Sequence, residues 1–343
     1  MFDIKKGVIM SKGYAIAIAG ATGAVGADMM ETLEKRNFPV RSLRLLASER
    51  SVGKKLRFKG EEIAVEELRQ DSFKGMDIAL FSAGASRSRE FAKFAVKAGA
   101  VVIDNSSAFR MDDDVPLVVP EVNPEDVKKH KGIIANPNCS TIIMVVAVFP
   151  LHKAKNLRRI VVATYQAASG AGAKAMTELE EQSGKILKGE CVKAEILPQR
   201  IAFNLFPHID VFTENGYTKE EMKMLYESRK IMHHPTLRVS CTCVRVPVLR
   251  AHSEALNLEF VNEITPDEAR KILSKAPGVQ LRDDTANKIY PMPIEASGMY
   301  DVLAGRIRQD ISRDDKRGLD MFVSGDQLLK GAALNAVQIA EIL

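Results

Sequence analysis

The apolar run Tyr14-Ala-Ile-Ala-Ile-Ala19 leads straight into Gly20-Ala-Thr-Gly-Ala-Val-Gly26 and then into an amphipathic segment reaching Arg36. A buried strand, a glycine-rich turn and a helix in that order constrain the fold more than any other stretch. The glycines let backbone approach a pyrophosphate that sits on the helix N-terminus. Gly20, Thr22, Gly23, Ala24, Val25 and Gly26 are therefore candidate dinucleotide-binding residues. A second strand is expected over 42–47 and ends in Ser48-Glu-Arg-Ser51. A lone carboxylate at that point suits the ribose hydroxyl of NAD, whereas Ser48, Arg50 and Ser51 suit a 2′-phosphate. The reading is NADP, with Glu49 as the contrary sign and a solvated loop as the plain alternative.

Short strands are expected over 62–67, 77–81 and 100–103, with a helix over 86–97 between the last two. Such alternation gives a parallel, doubly wound α/β sheet. Ser82, Ala83 and Gly84 close one strand at the edge where a cofactor binds. The next strand ends in Asp104-Asn-Ser-Ser-Ala-Phe-Arg110. Arg110 can hold a phosphate or carboxylate bidentately, or can serve as an ordinary surface ion-pair partner.

The run Gly132-Ile-Ile-Ala-Asn-Pro-Asn-Cys-Ser-Thr141 reads as a strand stopping in a turn, with a long apolar helix beginning near Ser140. Cys139 then lies at a helix N-terminus, where unpaired N–H groups and the helix dipole favour a thiolate and a neighbouring oxyanion. It is a candidate nucleophile; the competing reading is a buried structural thiol. The other cysteines, Cys191, Cys241 and Cys243, form no CxxC pair, so no zinc site or disulfide framework is expected.

At 343 residues the chain has room for two domains. Its net charge of +5 is spread without a basic block, which argues against a nucleic-acid partner. No apolar run approaches the roughly 18 residues of a membrane span, and the apolar stretch near Met1 is too short for a signal peptide. Residues 1–12 read as a disordered leader with Met10 as an alternative start, and a reducing cytoplasm is the expected location.

After Cys139 the pattern changes. A strand is expected over 158–166, ending in Gln166, whose amide can orient a carbonyl group. A loop holding Ser169 and Gly170 precedes a helix over 174–187. A helix over 218–226 places Glu220 and Lys223 on one face, where an intrahelical ion pair is the plain alternative. In the alternating strand 237–245, Arg245 points to the same side as Val239, Cys241 and Cys243. A guanidinium on an apolar face needs an anion, because leaving it buried and unpaired costs about 3–5 kcal/mol. His252 follows in sequence, just before a strand over 254–261. Strands over 300–309 and 319–324 precede a final helix over 326–343 that is expected to pack back on the first domain.

Together these motifs resemble the aspartate-semialdehyde dehydrogenase family. The likeness runs from about Tyr14 to the C-terminus. It includes the glycine turn, Asn136-Pro-Asn-Cys-Ser-Thr141, Tyr165-Gln-Ala-Ala-Ser-Gly-Ala-Gly172, Glu220-Glu-Met-Lys223 and Cys243-Val-Arg-Val-Pro-Val-Leu-Arg-Ala-His-Ser253. The segment 194–204 looks shorter than in many members. The resemblance implies a Rossmann-type NADP-binding domain over 1–138 and 322–343, and an α+β catalytic and dimerisation domain over 139–321. It implies reduction of an acyl phosphate, L-4-aspartyl phosphate, to the aldehyde through a thioester. Cys139 would be the nucleophile, Gln166 would orient the thioester, and His252 would be general acid and base. Arg245 would bind the substrate carboxylate and Glu220 its amino group, with Lys223, Arg110 and Asn138 at the phosphate side of the site. Ser169, Gly170 and Asn335 would lie near the nicotinamide. A homodimer acting on small molecules is implied, with no metal. The alternatives are an N-acetyl-glutamyl-phosphate reductase-like enzyme and a non-catalytic NADP-binding homologue.

Overall fold

The computed structural model describes residues 13–343, so the expected leader and alternative start lie outside the described residues. Two sheets organise the chain. The first contains β1 (Tyr14–Ala19), β2 (Val40–Ala47), β3 (Lys55–Phe58), β4 (Glu61–Glu67), β5 (Ile78–Phe81), β6 (Val101–Asp104) and β7 (Ile133–Ala135). Their spatial order is β3-β4-β2-β1-β5-β6-β7. All pairs are parallel except the β3-β4 hairpin, whose second strand matches the one expected over 62–67 and whose first, only four residues long, was not among the expected strands. Helices α1 (Ala24–Lys35) and α2 (Ala85–Lys97) make crossovers.

The central strands of this sheet are apolar because helices cover them, and β1 is buried from Ala15 to Ala19. At its end Gly20 has φ +92°, and a Cβ there would stand 2.4 Å from the Ser82 carbonyl oxygen. A Cβ on Gly26 would meet the Gly20 oxygen at the same 2.4 Å. Only glycine lets the turn close onto the adjacent strand end and α1.

Helix α3 (Cys139–Lys155) is buried along most of its length and joins the two halves. The second sheet comprises β8 (Leu157–Gln166), β9 (Arg238–Arg245), β10 (His252–Phe260), β11 (Val279–Leu281), β12 (Val302–Gln309) and β13 (Gly318–Gly325), in the order β11-β12-β13-β10-β8-β9. Around it lie α4 (Ala173–Leu187), α5 (Lys219–Ile231), α6 (Pro266–Leu273) and α7 (Pro293–Ala296). Both α5 and α6 begin in capping boxes, Thr218 with Glu221 and Thr265 with Glu268.

Three boundaries differ from expectation. His252 is the first residue of β10 rather than part of the loop before it. Strand β13 runs to Gly325, so the chain leaves the second sheet after that residue and not at 322. The final helix is broken: a π-helical turn over Leu329–Ala333 precedes α8 (Leu334–Glu341). Helix α8 then packs on α1 and β6 of the first sheet.

Candidate active site

Asn138 is the N-cap of α3, its Oδ1 accepting from the N–H groups of Ser140 and Thr141 at 3.0 and 3.2 Å. This cap sets Cys139 at the first helical position, on the wall of a cavity of about 560 Å³. Thr22, Gly23, Ala24, Val25 and Ser82 supply the wall nearest the glycine turn. Arg110, Asn138, Ser169 and Gly170 line the part nearest Cys139. The cavity therefore joins the glycine turn to the candidate nucleophile, and the turn has the tight strand-to-helix form of a dinucleotide cradle, since a Cβ at Gly20 or Gly26 would strike neighbouring backbone.

Gln166, Glu220, Lys223, Arg245 and His252 stand behind that wall. Their register explains how sequence positions far apart converge. Gln166 pairs with Arg245 across β8 and β9, and Tyr165 pairs with Ser253 across β8 and β10, which places the ends of three strands side by side. The Gln166 Nε2 donates to Glu220 Oε1 at 3.2 Å, and Asn138 Nδ2 donates to the same oxygen at 2.9 Å. The other Glu220 oxygen accepts from Lys223 Nζ at 2.9 Å, and that ammonium also donates to Asp210 at 2.8 Å. Burial acts to raise the Glu220 pKa, but Lys223, Asn138 and Gln166 outweigh it and hold the carboxyl below its ordinary value. Lys223 is pushed up and stays an ammonium.

Cys139 keeps some exposed surface, yet its thiol lies deep enough that burial is the largest influence on it. Burial and then the Glu220 carboxylate push the thiol up to about 12, against the pull of Arg110, the Ser140 N–H and Arg245. The expected resting thiolate is thus overturned, because desolvation and a neighbouring carboxylate outweigh the helix N-terminus.

His252 is fully buried and held well below the ordinary histidine value by burial and by the Arg245 cation. Its Nδ1 accepts from the Ala167 N–H at 3.0 Å, so the neutral ring carries its proton on Nε2. That nitrogen has no hydrogen-bond partner among the described residues. Arg245 is buried, donates to the Ala167 carbonyl at 2.5 Å, and forms no ion pair with a carboxylate among the described residues. Arg110 differs: it is paired with Glu227 at 3.1 Å and donates to the carbonyls of Asn136 and Asn105.

Ser48, Arg50 and Ser51 lie at the end of β2, apart from the Cys139 cavity. There Gly20 and Ala21 donate to the Leu46 carbonyl and so bring this corner beside the glycine turn. Gly84 has φ +87° and caps α2, with Ala83 between it and the cavity residue Ser82. Asn335 is misplaced by the sequence reading. It is completely buried, and its amide donates to Val118 O and Asn136 Oδ1 while accepting from Lys330. It braces the turn before Cys139 and does not line the cavity; Gln327, Leu328 and Gly331 do. Gln327 bonds Ser169 and accepts from the Ala251 N–H at 2.8 Å.

Glu227 was also missed. Its second oxygen accepts from the Asn138 N–H at 2.6 Å, so it ties Arg110 to the helix cap. The signal was present, since Glu227 lies seven residues after Glu220 and hence on the same face of α5. Asn105 lines the cavity beside Arg110, and nothing in its sequence context distinguishes it.

Two family models match the chain: "Semialdehyde dehydrogenase, NAD binding domain" over residues 15–130 and "Semialdehyde dehydrogenase, dimerisation domain" over residues 148–330. The chain is 59% identical to an aspartate-semialdehyde dehydrogenase of Aquifex aeolicus, covering 96% of this chain and 98% of that one. A crystal structure of aspartate semialdehyde dehydrogenase II complexed with ASA from Vibrio cholerae superposes with a TM-score of 0.94 at 47% identity, over 97% of this chain and 98% of that one. An aspartate semialdehyde dehydrogenase with NADP from Candida albicans gives a TM-score of 0.74 at 26% identity, over 96% and 98%.

Proposed function

The chain belongs to the aspartate-semialdehyde dehydrogenase family, and from that premise we propose how its residues divide the chemistry. The reaction is the reversible, NADP-dependent reductive dephosphorylation of L-4-aspartyl phosphate to L-aspartate 4-semialdehyde and phosphate, a step in amino-acid biosynthesis.

Arg245 carries the substrate assignment. A buried guanidinium with no protein carboxylate is completed by the substrate's α-carboxylate. Glu220, kept ionised, offers charge to the ammonium group and aligns Asn138 and Gln166. Lys223 and Arg110 hold the phosphoryl group, as cations on either side of Asn138.

In the reductive direction the Cys139 sulfur bonds the acyl carbon as the carbon–oxygen bond to phosphate breaks, and the thiol proton leaves with the phosphate. NADPH, when bound in the glycine cradle, supplies the hydride. Gln166 orients the thioester, and the Nε2–H of His252 hydrogen-bonds the tetrahedral oxygen formed next. The carbon–sulfur bond then breaks, the aldehyde departs and Cys139 takes up a proton. As a donor His252 serves this direction as it stands. To remove a proton in the opposite direction, the ring must give up its bond to Ala167.

Ser48, Arg50 and Ser51 select the 2′-phosphate, and Ser169, Gly170 and Gln327 adjoin the nicotinamide end of the cavity. Residues 13–138 with the C-terminal helix form the nucleotide domain, and 139 to the end of β13 the catalytic one. The outward face of the second sheet, where Tyr165 packs on Phe322 with ring centroids 6.0 Å apart, pairs with a second copy to form a homodimer. The four free thiols suit a reducing cytoplasm.

The test is phosphate-dependent reduction of NADP by L-aspartate semialdehyde, with native protein and Cys139→Ala side by side. The native protein is active and the variant loses at least roughly 10³-fold; an active Cys139→Ala overturns the assignment.

A further inference from the structure

Lys330 is among the largest side chains that are completely enclosed, and no step of the proposed chemistry uses it. Its ammonium donates to Glu121, to Asn335 Oδ1 at 2.9 Å and to Gln338 Oε1 at 2.8 Å, so all three protons are satisfied. Gln338 in turn donates to the second Glu121 oxygen at 3.1 Å. Desolvating such a pair costs about as much as the attraction returns, so stability alone does not explain it.

Its position does. Lys330 lies in the π-helical turn Leu329–Ala333, where the Gly331 N–H reaches Asp326 O at 3.0 Å and the Ala333 N–H reaches Leu328 O at 2.9 Å. Turns of this kind need outside support and cluster at functional sites. Two short paths run from Lys330 to Cys139. The next residue, Gly331, touches the nucleophile directly: a Cβ built on it would stand 2.8 Å from the Cys139 Cβ and 3.2 Å from its Cα. The other path passes through Asn335, which donates at 2.7 Å to Asn136 Oδ1, in the turn that leads to Cys139.

We propose that Lys330 is a positioning residue for the nucleophile: with Glu121 it fixes the π-turn and the Asn136 amide, the two supports between which Cys139 is held. This rests on Cys139 being the nucleophile. The prediction separates position from stability. Lys330→Met leaves the Glu121 carboxylate buried without its partner, and both thermal stability and turnover fall. The double variant Glu121→Gln/Lys330→Met removes the unpaired charge and recovers most of the stability. The nucleophile is still unsupported, so turnover stays low.

The experiment uses the full chain in a Cys191→Ser background, which removes the exposed thiol from alkylation measurements. For each variant the melting temperature, kcat and KM for L-aspartate semialdehyde, and the rate of Cys139 alkylation by iodoacetamide are measured. In the double variant kcat is expected about 10- to 100-fold down, the scale of a roughly 1 Å misplacement. KM changes by less than about twofold and the alkylation rate is altered. Recovery of kcat together with melting temperature in the double variant, or a Lys330→Met protein of native kcat, overturns the proposal. Should neither Lys330 variant fold, Glu121→Gln alone, which leaves Lys330 its amide acceptors, is read by the same split between kcat and KM. An active Cys139→Ala in parallel would instead mark failure of the underlying nucleophile assignment.

Discussion

A Cβ on Gly170 would stand 3.1 Å from the Nε2 of His252 and 3.1 Å from a terminal nitrogen of Arg245. The glycine backbone thus rests on the two side chains assigned to the tetrahedral oxygen and the substrate carboxylate. Both are buried, and each is tied to Ala167, so neither can retreat freely from an added methyl group. Gly170→Ala is expected to lower kcat/KM for L-aspartate semialdehyde by about 10- to 100-fold, the scale on which misplaced catalytic groups act. Its melting temperature should stay near that of the native protein, because Gly170 has no positive φ to strain. Native kcat/KM in the alanine variant would show that His252 and Arg245 yield more easily than their bonds to Ala167 imply.

The same pair makes a second prediction, in pH. His252 is held neutral first by burial and then by the Arg245 cation, which opposes a second positive charge. Arg245→Gln removes the cation, so the pKa of His252 rises toward its ordinary value. Any acid limb that His252 contributes to kcat therefore moves to higher pH. The variant also loses the partner of the substrate carboxylate, and kcat/KM falls by about 10²-fold or more, as expected when one half of a buried charge pair is truncated. Steady-state rates between pH 5 and 9 check both. A large loss of kcat/KM with an unmoved acid limb would confine Arg245 to substrate binding.

Much of this site was legible because short-range chemistry wrote it. The glycine turn, the helix start that sets Cys139 at an N-terminus and the alternation that turns Arg245 inward each follow from local rules, and the structure places them as those rules require. The main failure has its cause in long-range packing. The thiol of Cys139 is raised first by burial and then by a carboxylate 81 residues away on α5, neither of which a local pattern announces. Asn335 was placed near the nicotinamide by the resemblance alone, which says nothing of how this side chain packs. In the structure it follows the π-turn, and its amide faces Val118 and Asn136. Strand β3 escaped because its alternation spans only the four residues Lys55–Phe58, too few to stand out from a loop, whereas its partner β4 was read over 62–67.

One row deeper in the second sheet, behind His252, Glu254 is paired in register with Thr164 on one side and Val323 on the other. The residue is completely buried and neither carboxyl oxygen has a hydrogen-bond partner among the described residues. The polar and titratable groups near it are Thr164, its partner on β8, and Cys243 and Cys241 on β9. None is a cation in the neutral-pH state. Burial therefore raises its pKa well above 4.5. The sign of the consequence follows from proton counting. Above about pH 4.5 the unfolded chain releases this proton while the folded chain retains it, so stability falls as pH rises through that window. Glu254→Gln keeps the shape and cannot ionise. Its melting temperature should match the native protein near pH 4 and exceed it by a margin that widens from pH 5 to pH 8. Thermal melts followed by circular dichroism decide the matter. A difference between the two proteins that does not vary with pH would mean that Glu254 is ionised in the folded state, with a partner that stabilises its charge.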